Sequence, residues 1–308
     1  MLLLDQDTAS VLVMTLTVRE LGAFHMKPTR QLFEKLSLGS SVIAPGAYDG
    51  ISARLVAMAG FDAVYASGGA IARAAGYPDI GLLSFSEVLE RIEKIVEASG
   101  LPVIADADTG FGGSANVQRT VRALERAGVA AFHLEDQSFP KRCGHLDDKK
   151  LIDVSEMCRK IRIARHTLID QDCMIIARTD AIATEGFESA LSRAEQYVKA
   201  GADMIFVEAP ETLDQIRTIA RRIPGPKLMN MFYGGKTPLM PIEELSSLGY
   251  QLVIIPSDMQ RAAIHAMQIV LAEIKRSGDS SAMAAQLTSF EEREKIVQTS
   301  RYLALDLL

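Results

Sequence analysis

The stretch PVIADADTGFGGSANVQRTVRALERAGVAAFHLED, residues 102–136, decides the fold because it contains one complete strand, helix and strand. The runs 102–108 and 130–136 are almost continuously apolar, which is typical of strands covered on both faces. The segment 114–130 between them has helical length and an amphipathic pattern, and Gly128 is placed to end the helix. This order predicts a parallel βα unit.

The same unit recurs along the chain, which makes eight apolar runs in all. The other six are SVIAPG (41–46), AVYASG (63–68), CMIIARTD (173–180), MIFVEA (204–209), KLMNM (227–231) and LVIIPS (252–257). One intervening segment, SFSEVLERIEKIVEASG (84–100), begins with candidate caps at Ser84 or Ser86 and ends at Gly100. Eight strands that alternate with helices predict an α/β fold, a closed (β/α)8 barrel of the TIM type.

The chain divides into three segments on this pattern. Residues 1–25 are predicted to be a loosely ordered N-terminal extension, residues 26–282 the catalytic barrel, and residues 283–308 a C-terminal helical segment used in oligomerisation. The extension has an apolar character, but Asp5, Asp7, Arg19 and Glu20 interrupt it. We therefore expect neither a signal peptide nor a membrane span there.

Composition excludes several functions. The net charge is -6 and no run of lysine and arginine is interleaved with aromatic residues, so a nucleic-acid surface is not expected. Cys143, Cys158 and Cys173 are odd in number and contain no CxxC spacing, which favours a reducing, cytoplasmic location over a disulfide framework. The expected partners are small molecules and further copies of the chain.

Polar side chains come at the carboxyl ends of the predicted strands, where the active sites of such barrels lie. A single one could be an ordinary solvated strand end, but six strands show the pattern. The residues are Ser67, Gly68, Gly69, Asp106, Asp108, Glu135, Asp136, Arg178, Asp180, Glu208 and Asn230.

Asp106 and Asp108 are expected on one face of their strand because side chains alternate along a strand. Two carboxylates so close need a positive charge beside them. Mg²⁺ suits this pair, with Glu135 reaching it through water, since Mg²⁺ uses one or two carboxylates and keeps several waters. A salt bridge to Arg178 or Lys141 is the alternative.

The stretch EDQSFPKRCGH, residues 135–145, places Cys143 among Lys141, Arg142 and His145. Basic neighbours favour the thiolate, so this cysteine is suited to proton chemistry rather than to a buried structural role. Cys158 and Cys173 are predicted to be structural. His133, inside the fourth strand, is predicted to be a packed core histidine.

In this order and spacing, the motifs YASGG, GYPDIG, DADTGFGG, HLEDQ, KRCGH and IARTDA resemble the isocitrate lyase and phosphoenolpyruvate mutase superfamily. The resemblance extends over about residues 28–275 and is strongest to its 2-methylisocitrate lyase and 2,3-dimethylmalate lyase branch. It implies a (β/α)8 barrel, dependence on Mg²⁺ (with Mn²⁺ as a substitute) and chemistry beside an α-keto acid. It also implies a homotetramer, a dimer of dimers that exchanges C-terminal helices.

The resemblance implies a role for each matching residue. Asp106 and Asp108 would hold the metal, with Asp79 and Glu135 in its water-mediated shell. The substrate would be bound by Tyr65, Ser67, Gly68, Gly69, Gly144, Arg178, Glu208 and Asn230. Tyr65 is also the candidate base, and Cys143, on a mobile loop with Lys141, Arg142 and His145, would donate a proton to the carbanion released on bond cleavage.

The substrate remains open at this stage. Phe232 and Tyr233 stand where a strict 2-methylisocitrate lyase tends to have smaller polar residues, which makes a dialkylmalate or oxaloacetate plausible. An oxaloacetate hydrolase or decarboxylase and a carboxyphosphonate-type mutase are the catalytic alternatives. A barrel that binds a dicarboxylate without turning it over is the alternative of another class.

Overall fold

The structure is a computed structural model that describes residues 26–39, 41–144 and 148–307. The predicted extension, residues 1–25, lies outside the described residues, and so does His145. Among the described residues, no helix combines the length and the apolar character that crossing a membrane requires.

Eight parallel strands form a closed barrel in which each strand pairs with its neighbour in sequence and β1 pairs with β8. The strands are β1 (Val42–Ala47), β2 (Val64–Ala66), β3 (Val103–Asp106), β4 (Ala131–Glu135), β5 (Met174–Thr179), β6 (Met204–Val207), β7 (Lys227–Asn230) and β8 (Tyr250–Ile255). The predicted fold class is confirmed, and all eight strands overlap the predicted runs. β8 begins two residues earlier than expected.

Helices surround the barrel and continue beyond β8. They are α1 (Pro28–Ser37), α2 (Gly50–Met58), α3 (Gly68–Ala74), α4 (Phe85–Ser99), α5 (Ser114–Arg126), α6 (Val154–Thr167), α7 (Ile182–Glu185), α8 (Phe187–Ala200), α9 (Leu213–Arg222), α10 (Ile242–Ser247), α11 (Asp258–Ser277), α12 (Phe290–Ile296) and α13 (Thr299–Leu303). Two 3-10 turns, Ser281–Gln286 and Ala304–Leu307, complete the C-terminal segment.

The ends of α4 illustrate how local sequence sets these boundaries. The Ser84 side chain accepts a hydrogen bond from the backbone of Glu87, and the Glu87 carboxylate accepts one from the backbone of Ser84. This capping box satisfies two amide groups that the first turn leaves unpaired. Gly100 ends the helix at φ 61°, a conformation that glycine adopts without steric cost.

The core has two parts. One lies between the strands and the outer helices, and the other fills the barrel interior. Leu32 and Leu36 of α1 belong to the interior part, so α1 covers the amino end of the barrel while the carboxyl end stays open for a site. Burial of such a side chain stabilises the fold by about 1.5–3 kcal/mol.

The last long helix packs differently from the others. Gln260 is the one residue of α11 that is buried by the described chain, whereas Ile264, Met267 and Leu271 are exposed. Residues 283–307 follow this helix. α11 therefore presents an apolar face that a barrel helix would normally bury.

Candidate active site

Most of the predicted site residues that the structure describes meet at the carboxyl end of the barrel, because parallel strands end at the same rim. A cavity of about 400 Å³ opens there. It is lined by Tyr65, Ser67, Gly69, Arg73, Asp79, Asp106, Lys141, Cys143, Gly144, Arg178, Phe206, Glu208, Asn230, Phe232, Tyr233, Gly234, Ile254, Pro256, Ser257, Gln260, Arg261 and Ile264.

A lysine lies among the acidic residues of this rim. Lys141 Nζ is 2.5 Å from Asp79 Oδ1 and 2.7 Å from Asp108 Oδ1, and its side chain is buried. The salt bridge that the sequence left as an alternative to a metal is therefore present. Burial opposes the charge on Lys141, but Asp108 and Glu135 raise its pKa well above the usual value, so the ammonium persists.

Asp108 lies beyond the strand on which it was expected. β3 ends at Asp106, and Asp108 has a φ of 46°. Its backbone N–H donates to Asp106 Oδ1 at 3.0 Å, and its carbonyl accepts from Glu135 at 2.9 Å. The turn brings the Asp108 carboxylate to Lys141. Burial, with Asp106 and Asp79 nearby, raises the pKa of Asp108.

Arg178 lies at the centre of a second charged group. It pairs in register with Glu135 across β4 and β5, and its Nε is 3.5 Å from Glu135 Oε2. Two hydrogen bonds join it to Asp180, and its guanidinium lies over the Phe206 ring at 5.1 Å. Glu208 is 4.0 Å away and accepts at 3.4 Å from Asn230 Nδ2. Arg178 is thus held rigidly with one side toward the cavity.

His133 has a polar partner that its position in the sequence did not suggest. It is buried as predicted, but its Nε2 lies 2.8 Å from the Tyr65 hydroxyl, which is also 3.4 Å from Asp106 Oδ2. Burial lowers the pKa of His133, so the ring is neutral. Burial and Asp106 raise the pKa of Tyr65 well above its usual value. This disfavours the phenolate that a base would need, and the role of Tyr65 as base stays a prediction.

Side chains of the described part of the motif KRCGH point in different directions. Cys143 is half-buried and lines the cavity, and its backbone N–H donates to the Asp79 carbonyl at 3.1 Å. Arg142 is exposed, and its Nη1 is 3.8 Å from Asp148 Oδ2, so its side chain does not join the others. His145 lies outside the described residues. Only part of the predicted basic group around Cys143 is therefore brought to the cavity.

Ser67, Gly68 and Gly69 form the start of α3 beside the acidic residues. The Ser67 side chain caps the helix by accepting from the Ala70 backbone. A Cβ at Gly68 would come closer than 3.0 Å to the Asp106 carboxylate, and one at Gly69 closer than 3.0 Å to Asp79. A side chain at either position would have to displace a carboxylate, so the packing of Asp106 and Asp79 against the backbone favours glycine at both.

Several lining residues were missed by sequence reasoning. Arg73, Phe206 and Arg261 contact the cavity but carry no motif, and only a strand-end position points to Phe206. Arg261 donates to the Tyr233 carbonyl at 2.5 Å, which joins α11 to the loop after β7. The outer wall of the cavity is thus partly aromatic and partly cationic.

The carboxylates fit a hard divalent cation. Neither Glu135 oxygen has a hydrogen-bond partner among the described residues, although both are buried, and burial raises the pKa of Glu135 well above its usual value. In the same described residues, no three histidine, cysteine, aspartate or glutamate side chains converge to hold a metal by themselves. Mg²⁺ needs only one or two carboxylates because water and substrate oxygens complete its shell.

The structural cysteines are placed as predicted. Cys173 is buried, and its Sγ donates to the Val129 carbonyl at 3.6 Å. Burial raises the pKa of Cys173 to about 12 and also raises that of Cys158. Both thiols stay neutral and lie outside the cavity lining.

Comparisons with known proteins agree with the motifs. The model of the phosphoenolpyruvate phosphomutase family matches residues 33–275. The chain is 44% identical over 268 residues to 2,3-dimethylmalate lyase of Eubacterium barkeri, which covers 87% of this chain and 93% of that protein. It is 46% identical over 249 residues to 2-methylisocitrate lyase of Aeropyrum pernix, covering 81% and 79%. A crystal structure of phosphonopyruvate hydrolase with oxalate and Mg²⁺ matches with a TM-score of 0.84 at 31% identity, covering 92% and 99%.

Proposed function

Because the chain is an enzyme of the isocitrate lyase and phosphoenolpyruvate mutase superfamily, we propose that it is a Mg²⁺-dependent carbon–carbon lyase. It cleaves a 2-hydroxy di- or tricarboxylate of the 2-methylisocitrate or 2,3-dimethylmalate type. The products are an α-keto acid such as pyruvate and a carboxylate such as succinate. The observation that carries this proposal is that Cys143 and Arg178 line the same cavity as Asp106.

Arg178 binds the carboxylate of the keto-acid half of the substrate. Its planar guanidinium suits a carboxylate, and its bonds to Asp180 fix its orientation before substrate arrives. Ser67, Gly68 and Gly69 contact the same half from the start of α3. Glu208, Asn230 and Gly144 complete the surface around Arg178.

Asp106 and Asp108 would hold the cation, with Asp79 and Glu135 bound through water. Mg²⁺ there would acidify the substrate hydroxyl and the neighbouring Tyr65 phenol and would neutralise developing negative charge. Both oxygens of Glu135 are buried without a hydrogen bond to any described residue, although Oε2 lies 3.5 Å from Arg178 Nε, and this supports the assignment. Phosphonopyruvate hydrolase, a structural relative, binds Mg²⁺ together with oxalate.

Cys143 supplies the proton that ends the reaction. Tyr65 is the candidate acceptor of the substrate hydroxyl proton, for which it must be in its phenolate form, and loss of that proton lets the carbon–carbon bond break into a ketone and a carbanion. The carbanion charge spreads into its own carboxylate, and the Cys143 thiol protonates the carbon. Lys141, whose ammonium is fixed in the cavity wall, stabilises the anionic fragment. The same role for Arg142 and His145 stays a prediction.

The aromatic wall favours a substrate with an apolar distal group. Phe232 and Tyr233 line the cavity with Ile254, Pro256 and Ile264. An alkyl substituent would bury apolar area against this wall, at about 25 cal/mol per Å². We therefore rank 2,3-dimethylmalate first, and the tricarboxylate stays in the panel because Arg73 and Arg261 on the same wall could bind a third carboxylate. Oxaloacetate hydrolysis or decarboxylation and phosphoryl mutase chemistry are the alternatives on the same scaffold.

A substrate panel tests the function. Purified protein is assayed for release of pyruvate from 2,3-dimethylmalate and 2-methylisocitrate, and for release of oxalate from oxaloacetate. We expect pyruvate release that disappears with a chelator and returns with Mg²⁺ or Mn²⁺. Full activity after exhaustive chelation would contradict the metal assignment. Binding without turnover on the whole panel would favour the non-catalytic barrel.

We also infer a homotetramer, a dimer of dimers that exchanges its C-terminal helices. The exposed Ile264, Met267 and Leu271 on α11 support it, since contiguous apolar patches on a surface usually mark an interface. Light scattering should give the mass of four chains, and removal of residues from 283 onward should cause dissociation or aggregation. A monomeric mass for the full chain would contradict this assembly.

A further inference from the structure

Lys149 is a buried lysine beside the cavity, and the proposed reaction leaves it without a role. Its side chain is 1% exposed, and its Nζ lies 3.2 Å from Asp180 Oδ1. The same ammonium donates to the Gly144 carbonyl. It therefore joins the residue after the proton donor to the residue that holds Arg178.

The Asp180 end of this link is rigid. Asp180 accepts from Arg178 Nε at 2.9 Å and from Arg178 Nη2 at 3.0 Å. Its backbone N–H donates to Asp136 Oδ1 at 3.0 Å. Burial opposes its charge, but Arg178 and Lys149 lower the pKa of Asp180, so the carboxylate is ionised. The Lys149 ammonium is therefore held at a fixed position relative to Arg178.

The Gly144 end is packed against the same arginine. A Cβ at Gly144 would come closer than 3.0 Å to both Arg178 Nη2 and Glu208 Oε1, so the backbone lies directly on these side chains. Gly144, Lys149, Asp180 and Arg178 therefore form a closed ring of contacts. Such a ring fixes the distance between the Cys143 backbone and the guanidinium.

We propose that Lys149 is a positioning residue that holds Cys143 at a set distance from Arg178. This inference rests on the proposed function, in which Arg178 binds a substrate carboxylate and Cys143 protonates the carbanion. Without the ammonium the Gly144 carbonyl loses its donor and the loop can shift. A misplacement of about 1 Å costs about 10²-fold in rate.

The substitution Lys149→Met tests this role because methionine has a side chain of similar length and carries no charge. We expect kcat to fall about 10²-fold while KM changes little, since Arg178 keeps both bonds to Asp180. Lys149→Arg restores a cation and should recover part of kcat. Lys227→Met is the matched control, a buried lysine at the opposite end of the barrel, and it should leave kcat unchanged.

A second measurement does not need turnover. Iodoacetate carries a carboxylate that Arg178 can bind, whereas iodoacetamide does not, so the ratio of their alkylation rates at Cys143 reports the distance between the two groups. The ratio should fall about tenfold in Lys149→Met and stay at the wild-type value in Lys227→Met.

The two proposals fail in different ways. A wild type that turns over no substrate defeats the proposed function, and the alkylation ratio still decides the role of Lys149. If Lys149→Met keeps both kcat and the ratio within about twofold of wild type, Lys149 only packs and the inference is wrong. Should circular dichroism show that this variant does not fold, Lys149→Gln undergoes the same two measurements.

Discussion

Lys141 at the carboxyl end of the barrel and Lys227 at the amino end are both buried, and their surroundings are opposite. At the carboxyl end, Lys141 is ion-paired with Asp79 and Asp108. At the amino end, Lys227 Nζ donates to the carbonyls of Ile223 and Gly225 at 3.0 and 2.7 Å. Acidic neighbours raise the pKa of Lys141, whereas burial lowers that of Lys227.

The comparison shows that this fold can bury a lysine without burying carboxylates beside it. A carbonyl acceptor satisfies a buried lysine without adding further charge, which is the arrangement at Lys227. The carboxyl end instead buries several carboxylates together, and each carries a desolvation cost that its partners only partly offset. Stability alone gives no reason for this accumulation, so it marks the carboxyl end as the functional one.

Cys143 and Cys173 show the same contrast between the two ends of the barrel, and substitution of Cys143 has the largest expected effect. Cys143→Ser at the carboxyl end keeps the side-chain shape but replaces the thiol by a hydroxyl, which is a far weaker acid. We expect kcat to fall by about 10² to 10⁴, with the dissociation constant of the proposed product pyruvate and the melting temperature nearly unchanged. A pyruvate-coupled assay, calorimetry with pyruvate and a thermal melt measure the three quantities.

Cys173→Ser is the matched control at the amino end. The serine hydroxyl can donate to the Val129 carbonyl that the thiol now contacts. We therefore expect the free energy of unfolding to fall by about 1 kcal/mol and kcat to stay unchanged. If Cys143→Ser instead lowers the melting temperature and leaves kcat intact, Cys143 is structural. A hydrolase or decarboxylase would then be the better assignment.

The fold could be predicted because each βα unit is encoded locally. A buried strand and its helix differ in period, and Gly100 or Gly128 marks the boundary. β8 was placed two residues late because Tyr250 and Gln251 interrupt the apolar run. Tyr250 nevertheless belongs to the strand, since it is buried and its hydroxyl donates to the Ile216 carbonyl at 2.9 Å.

The candidate site was predictable where strands end and less so in the loops. Strand topology alone brings Arg178 and Glu135 to one rim, whatever the rest of the chain does. The loop after β4 follows a path that local sequence does not specify, so Arg142 was expected inward and is exposed, while Lys149 was overlooked and is buried. The positive φ of Asp108, which turns the chain beyond the end of β3, had no local sequence signal either.

Substituting Lys141 and Lys227 separately by methionine tests the contrast directly. Lys141→Met leaves Asp79 and Asp108 without their cation, and loss of one partner of a buried ion pair typically costs about 3–5 kcal/mol. Lys227→Met removes a charge that burial already disfavours, so the relieved desolvation offsets the lost hydrogen bonds to within about 1 kcal/mol.

Thermal melts and denaturant titrations compare the variants with wild type. Added Mg²⁺ should stabilise Lys141→Met by more than it stabilises wild type or Lys227→Met, because in Lys141→Met it also replaces the positive charge that the carboxylates have lost. Equal losses for the two variants, or a Lys141→Met variant indifferent to Mg²⁺, would mean that the two ends of the barrel do not differ as proposed.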